Sequence, residues 1–393
     1  MTERNETMLL IHGNILTMED INYPDGYLCI RNGKIHSVGP MSEVPAGETV
    51  VDLEGATVLP GFIDPHSHLG MWEDGLGFEG DDGNESTDPV TPQLRAIDAL
   101  NPLDRTFEEA WKGGVTTVLT GPGSANPISG QWAAIKTKGR RIDDMVIDPA
   151  IGMKFALGEN PKTVYNEKNA APMTRMATAA LIRDQLNKAK RYLDDKERAD
   201  EDEDFDEPEY DAKCEALIPV LTRKQKAFFH AHRADDIFTA VRIAKEFKLD
   251  LVVVHCTEGH LVRDLLAGEK LRVIAGPILC DRSKPEMRNL DIQGPALLHS
   301  AGLKPALCTD HPVIPIQYLP LCAGLAVGAG LEYEEALKAI TIYAAEAAGI
   351  DERVGSIRPG KDADLVIYRD GDDPCGPYAR PAMVFIDGEK VLG

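Results

Sequence analysis

The chain has 393 residues, more than one core usually serves, so a large domain with a smaller companion is expected. Acidic residues outnumber basic ones 64 to 42, for a net charge of -22, which excludes the basic footprint of a general nucleic-acid binder. Seven scattered cysteines without a close CxxC pair exclude a secreted disulfide framework, and the lack of any run of 18 apolar residues excludes a membrane span.

The opening decapeptide MTERNETMLL has no basic region followed by an apolar signal core, so a protein of the reducing cytoplasm is expected. Residues 8–60 break into short β-forming pieces, and RNGK at 31–34 is a hairpin signal. The middle alternates, with apolar strand candidates at 58–63, 115–119, 132–136, 150–155, 227–231, 251–255, 271–275 and 306–309. Helical periods lie between several of them. DDIFTAVRIAKEF places Ile237, Val241, Ala244 and Phe247 on one face, with Asp235 or Asp236 as cap. YEEALKAITIYAAEAAG reads as one helix stopped by Gly349. An acidic stretch near 194–211 reads as a solvated or partly disordered insertion. The C-terminus returns to strands, ADLVIYRD and AMVFIDGEKVLG, the second holding a turn at DGEK.

Alternating strands and helices suggest parallel βα units, and eight candidates fit a (β/α)8 TIM-like barrel, with a doubly wound sheet as the alternative. Strands at both ends suggest a small β-sandwich built from both termini. The expected division is 1–57 with 357–393 as the composite β-domain and 58–356 as the barrel.

Polar residues cluster where apolar strands end. GFIDPHSHLG holds His66 and His68 two apart, hence on one face of a strand. KAFFHAHRADD repeats the spacing at His230 and His232, LDLVVVHCTEGH ends on His255, and PALCTDHPV carries Asp310. GMKFALGENP adds Lys154 and Glu159. A hydrogen-bonded structural residue would explain each one alone. Four strand ends finishing in His or Asp point to a shared metal, because a buried unpaired imidazole or carboxylate is costly. Asn126 and Gln131 in GPGSANPISGQ, Arg233, Arg282 and Glu258 are candidates for holding substrate, against turn-closing or surface roles. HCTEGH is not HExxH, so no zincin helix is expected. Cys256, Cys280 and Cys308 read as small buried hydrophobes.

PGFIDPHSH at 60–68 resembles the first-strand signature of the amidohydrolase superfamily, PGFIDxHxH. The order His230, His255, Asp310 resembles that family's fifth, sixth and eighth strands, and GSIRPGKDADLVIY at 355–368 its closing signature. HAHRADDI is most similar to imidazolonepropionase-related and prolidase-like members. The resemblance implies a metal-dependent hydrolase barrel beside a small β-sandwich. It implies His66, His68, His230, His255 and Asp310 as ligands, with His230 preferred over His232. It also implies a bridge between two ions at a carboxylated lysine or a glutamate. Lys154 or Glu159 fills that place, and with neither the site would hold one ion. Zinc is expected, with manganese or iron as alternatives.

The expected chemistry is hydrolysis of a C–N bond in a small amide, cyclic amide or dipeptide-like substrate. A divalent ion brings the pKa of water toward ~7. Asp310 is expected to take the water proton, and His255 or His232 to hold the carbonyl oxygen. Deamination of a heterocyclic amine is the alternative reaction, and a non-catalytic scaffold the alternative class. The expected partner is a small molecule, with no nucleic acid and no membrane; a homo-oligomer is compatible with the sequence.

Overall fold

The computed structural model describes residues 7–46, 49–269 and 271–393. Five strands open the chain: β1 (Thr7–Ile15), β2 (Tyr23–Arg31), β3 (Lys34–Pro40), β4 (Thr49–Asp52) and β5 (Thr57–Pro60). Barrel strands follow: β6 (Phe62–Ser67), β7 (Val115–Thr120), β8 (Ile128–Lys136), β9 (Val146–Ala156), β10 (Lys226–Ala231), β11 (Leu251–His255), β12 (Arg272–Ala275) and β13 (Pro305–Leu307). Three more close the chain: β14 (Leu365–Tyr368), β15 (Met383–Ile386) and β16 (Glu389–Leu392).

Both termini contribute to one eight-stranded sheet, in the order β16-β15-β14-β5-β1-β2-β3 with β4 beside β1. The two ends of the chain meet where β5 pairs antiparallel with β14. Two tight turns shape this sheet. Asn32–Gly33 and Asp387–Gly388 both take positive φ at both positions, as a type I′ hairpin turn requires. Inward residues such as Leu28, Ile30, Val58, Leu365 and Phe385 form its own core.

The second sheet runs in sequence order from β6 to β13. Backbone bonds from Asp310 N to His66 O (3.1 Å) and from His68 N to His311 O (2.9 Å) draw its two edges together. It is a nearly closed, TIM-like barrel. The apolar run 58–63, expected to be one strand, is two strands in different sheets. The break falls at Gly61, where a Cβ would lie 2.1 Å from Thr116 Oγ1.

The βα alternation fails at one place. β8 is antiparallel to both β7 and β9. The links 121–127 and 137–145 are too short for the crossover that parallel strands need. The N-terminal end of β8 therefore lies at the barrel mouth, where the other strands place their C-terminal ends. Lys136, at its far end, is buried against Asp362 (3.0 Å), Asp364 (2.7 Å) and Asp387 (3.3 Å), which joins the barrel to the closing strands.

Three further expectations need correction. The acidic stretch is ordered helix as far as Glu201, within Arg175–Glu201. Tyr192 and Lys196 bond Glu215 (each 2.6 Å), and Arg198 lies over the Phe205 ring, so neighbours supply what the like charges lack. Helix Ala234–Phe247 starts after Arg233, which makes no side-chain cap; Asp235 and Asp236 lie inside its first turn. The run 333–349 is two helices, Tyr333–Ala339 and Ile342–Ala348, broken at Thr341, whose hydroxyl donates to Leu337 O. Gly349 does stop the second one, at φ 84°.

Candidate metal centre

The strand ends assemble at the barrel mouth. Two groups of three ligand atoms form among the described residues, each with all atoms within 4.8 Å of one another. One is His66, His255 and Asp310; the other is His230, His232 and His255. His255 belongs to both. Backbone geometry is strained here, with His255 (φ 71°), Cys256 (50°) and Asp310 (54°) in the left-handed region that non-glycine residues avoid.

Hydrogen bonds orient the rings. His68 Nδ1–H donates to Gly121 O and His255 Nδ1–H to Gly276 O, both at 2.7 Å. In a neutral imidazole this leaves Nε2 as a bare acceptor. His230 Nδ1 meets Ser124 Oγ at 2.9 Å, and His232 Nδ1 meets Thr257 Oγ1 at 2.7 Å. His66 stacks on buried Trp132, with ring centres 4.5 Å apart.

Burial sets the protonation states. It lowers His66 to about 3, helped by the Lys154 charge, and lowers His232 to about 4. His230 and His255 lie well below the usual imidazole range for the same first reason, with neighbouring imidazoles adding to it. Burial also brings Lys154 down to about 7. For Asp310 burial pushes upward, but the imidazoles of His255, His66 and His68 facing it outweigh that and hold the carboxyl well below its ordinary value.

These residues fit a divalent ion. His68 Nε2, a bare acceptor, faces Asp310 Oδ1 at 3.4 Å. Two acceptors that close need a cation between them. Neutral imidazoles and ionised carboxylate are also the forms that bind metal. Lys154 Nζ, fully buried on β9, stands 3.4 Å from His66 Nε2. Glu159 is outside both groups. It sits in the first turn of the helix Glu159–Glu167, and its carboxylate accepts from Glu286 N at 3.1 Å.

The centre opens into a cavity of about 580 Å³, lined among others by Trp72, Ser124, Asn160, Lys284 and Val313. None of the five side chains expected to hold substrate lines it. Asn126 is consumed by Glu85 O (2.7 Å), Thr91 Oγ1 (2.9 Å) and the Tyr165 hydroxyl (2.6 Å), and so anchors the 85–91 loop. Gln131 lies within β8 and donates to Pro92 O at 3.4 Å. Arg233 forks onto Asp235 (3.0 and 2.9 Å). Glu258 accepts from Asn289 Nδ2 (2.7 Å) and Ala234 N (2.9 Å), at the start of a helix. Arg282 donates to Leu290 O. Cys280 lies on the cavity wall rather than in the core, and burial raises its thiol to about 11.

Sequence reasoning passed over Asp64, Trp72, Trp132, Lys284 and Glu286. Asp64 is fully buried, accepts from His66 N (3.2 Å) and from the Thr309 hydroxyl, and so ties the first strand to the Asp310 turn. A carboxylate inside an apolar strand was its available signal.

Comparison with known proteins supports the geometry. The amidohydrolase family model matches residues 220–391. An amidohydrolase of solved structure from Thermotoga maritima is 42% identical, with a TM-score of 0.93 over 98% of this chain and 99% of that one. Amidohydrolase tasK of Hapsidospora irregularis is 33% identical over 380 residues, 90% of this chain; the match spans 38% of that longer relative. An imidazolonepropionase of Symbiobacterium thermophilum is 25% identical over 388 residues, 88% of this chain and 84% of its own. The chain belongs to the amidohydrolase family. With its His and Asp groups, it is a metal-dependent hydrolase acting on a C–N bond, with places for one or two divalent ions.

Proposed function

We propose that the chain cleaves an amide, cyclic amide or dipeptide-like bond in a small substrate, with two divalent ions, zinc first, at the barrel mouth. The observation that carries this is His255 standing in both ligand groups, with Lys154 Nζ 3.4 Å from His66. In this reading His66, His68 and Asp310 hold one ion, and His230 and His255 hold the other. Lys154, lowered to about 7, is the amine suited to carboxylation and to bridging them. The cyclic-amide option draws on the likeness to imidazolonepropionase.

A bound divalent ion would supply acidified water and polarise the substrate carbonyl. The chain's own residues do the rest. Asp310 Oδ1, ionised and 3.2 Å from His66 Nε2, takes the water proton and passes it to the leaving nitrogen. Thr257 donates to His232 Nδ1, which leaves Nε2–H to support the carbonyl oxygen as charge develops. Lys284, which donates to Asn160 Oδ1 at 3.0 Å on the cavity wall, offers a cation to a substrate carboxylate. In this reading β1–β5 with β14–β16 serve as the β-domain and β6–β13 as the catalytic barrel, so the division falls at Gly61 rather than at 57.

No helix among the described residues is long and apolar enough to cross a membrane, and we read the chain as acting on a small molecule in the cytoplasm. The test is metal analysis of purified protein, then a screen of metal-loaded enzyme on N-acyl amino acids, dipeptides, imidazolones, hydantoins and aminated heterocycles. Amine release from amides supports the reading. Ammonia release from a heterocycle, with no amide cleaved, overturns it in favour of deamination.

A further inference from the structure

Glu286 sits in a single helical turn, Pro285–Met287, in the segment after β12, and its side chain is 1% exposed. One carboxylate oxygen is committed, since Oε2 accepts from Glu159 N at 2.8 Å. The other, Oε1, has no hydrogen-bond donor although it is buried. It lies 3.7 Å from His230 Nε2 and 3.8 Å from His232 Nε2, too far for a hydrogen bond to either. The nearby Lys284 is turned to Asn160. The fold nevertheless makes room for this carboxylate. A Cβ at Gly158 (φ 86°) would stand 2.7 Å from Glu286 Oε2, so glycine there leaves its place open.

A buried carboxylate oxygen without a donor needs a cation. The two imidazoles it faces stand 3.7 and 3.8 Å away, beyond hydrogen-bond reach, and do not supply one. Ligand atoms on one four-coordinate zinc lie roughly 3.2–3.6 Å apart, given bonds of about 2.0–2.2 Å. The separation of Oε1 from His230 Nε2 is close to that span.

We propose that Glu286 is a carboxylate ligand of the second ion, entering beside His230 from the segment after the seventh barrel strand. This rests on the two-ion reading above. Each ion then has a carboxylate of its own, Asp310 on the His66 side and Glu286 on the His230 side. The Glu159 backbone fixes the direction of the second carboxylate, as ligand carboxylates commonly require.

The test compares wild type, Glu286→Gln and Glu286→Asp. Gln keeps an acceptor for Glu159 N and removes the charge; Asp keeps the charge on a shorter stem. Metal-free proteins are titrated with zinc against a chelator, with stoichiometry by metal analysis, cobalt absorption spectra and thermal unfolding with and without zinc. The expected result is two ions in wild type. Glu286→Gln should keep the first at unchanged affinity and bind the second at least about tenfold more weakly, with an altered cobalt spectrum. Metal-free Glu286→Gln should melt no lower than metal-free wild type, because an unpaired buried charge has gone, while zinc should raise wild type further. Glu286→Asp should recover part of the second affinity. Two ions at wild-type affinity with an unchanged spectrum in Glu286→Gln would overturn the assignment alone. So would lower melting of metal-free Glu286→Gln with both ions lost together, which marks a purely structural role. A single ion in wild type would end the two-ion reading and this assignment with it.

Discussion

Asp310→Asn isolates proton transfer from architecture. The backbone at Asp310 is left-handed, at φ 54°, a conformation asparagine tolerates nearly as well as aspartate. Its fixed contacts are main-chain ones: Asp310 N to His66 O at 3.1 Å, and Val313 N to Asp310 O at 2.9 Å. Both survive the change, as does the Asp64–Thr309 tie behind it. An amide oxygen still faces His66 and His68, where the carboxylate oxygen stood at 3.2 and 3.4 Å, so an ion is retained with weaker affinity. What is lost is the base. A positioned general base is worth about 10²–10⁴ in rate, or roughly 2.7–5.4 kcal/mol of barrier. The assay is kcat on the best amide from the screen, with metal content and melting temperature measured on the same sample. The expected outcome is a fall in kcat of that size, a small change in KM, and melting within a few degrees of wild type. A metal-loaded variant within about threefold of wild-type kcat would refute the reasoning and move the proton path to His232.

Other outcomes follow from the same geometry. Because His255 holds the ion beside His230 and also lies within reach of the other group, His255→Ala should lose that ion and bind the other more weakly by metal analysis, whereas His230→Ala should keep the one beside His66 and Asp310 at unchanged affinity. Metal-free protein should lose stability as pH falls from about 6.5 toward 4. His66, His232 and His311 have folded-state values lowered to about 3, 4 and 4, so the unfolded chain binds more protons across that window. His230 and His255, also held well below the ordinary imidazole range, act in the same direction, and Asp64, raised to about 7 by burial, offsets only one of the five, each net proton being worth about 1.4 kcal/mol per pH unit. Urea unfolding midpoints at pH 7, 6 and 5 check this, and a flat series would contradict it. Lys136→Met takes the cation from buried Asp364, while Asp362 keeps Lys34 and Arg353, and should cost about 3–5 kcal/mol, read as a lower unfolding midpoint.

Much of this architecture is written in local pattern. The period-two histidines His66 and His68 end a buried strand, and alternation alone carries both toward one centre. RNGK and DGEK set two hairpins because only such residues accept positive φ at both turn positions. The candidate metal ligands are legible for the same reason: they sit at strand ends, in a fixed phase with apolar runs. The 58–63 strand was misjudged because no local signal separates one long strand from two that meet at a glycine. At that glycine the Thr116 side chain occupies the space a Cβ would need, a constraint set by a residue distant in sequence.

The substrate side was illegible for a different reason. Asn126, Gln131, Arg233 and Glu258 are polar residues near the right strand ends, yet Asn126, Gln131 and Glu258 are engaged by neighbours distant in sequence and Arg233 by Asp235 beside it. Asn126 meets Glu85 and Thr91, and Glu258 meets Asn289. A side chain's hydrogen-bonding capacity is finite, so whether it remains free for substrate depends on what else folds against it. The reversal of β8 decides much of this. The antiparallel strand descends from the mouth, brings Ser124 in the preceding turn to His230, and takes Gln131 away to Pro92. Lys284 and Glu286 reach the site from the opposite side, out of a segment with no periodic pattern. Their importance follows from one carboxylate oxygen left without a donor and one cation on the cavity wall, properties of the assembled barrel rather than of the chain.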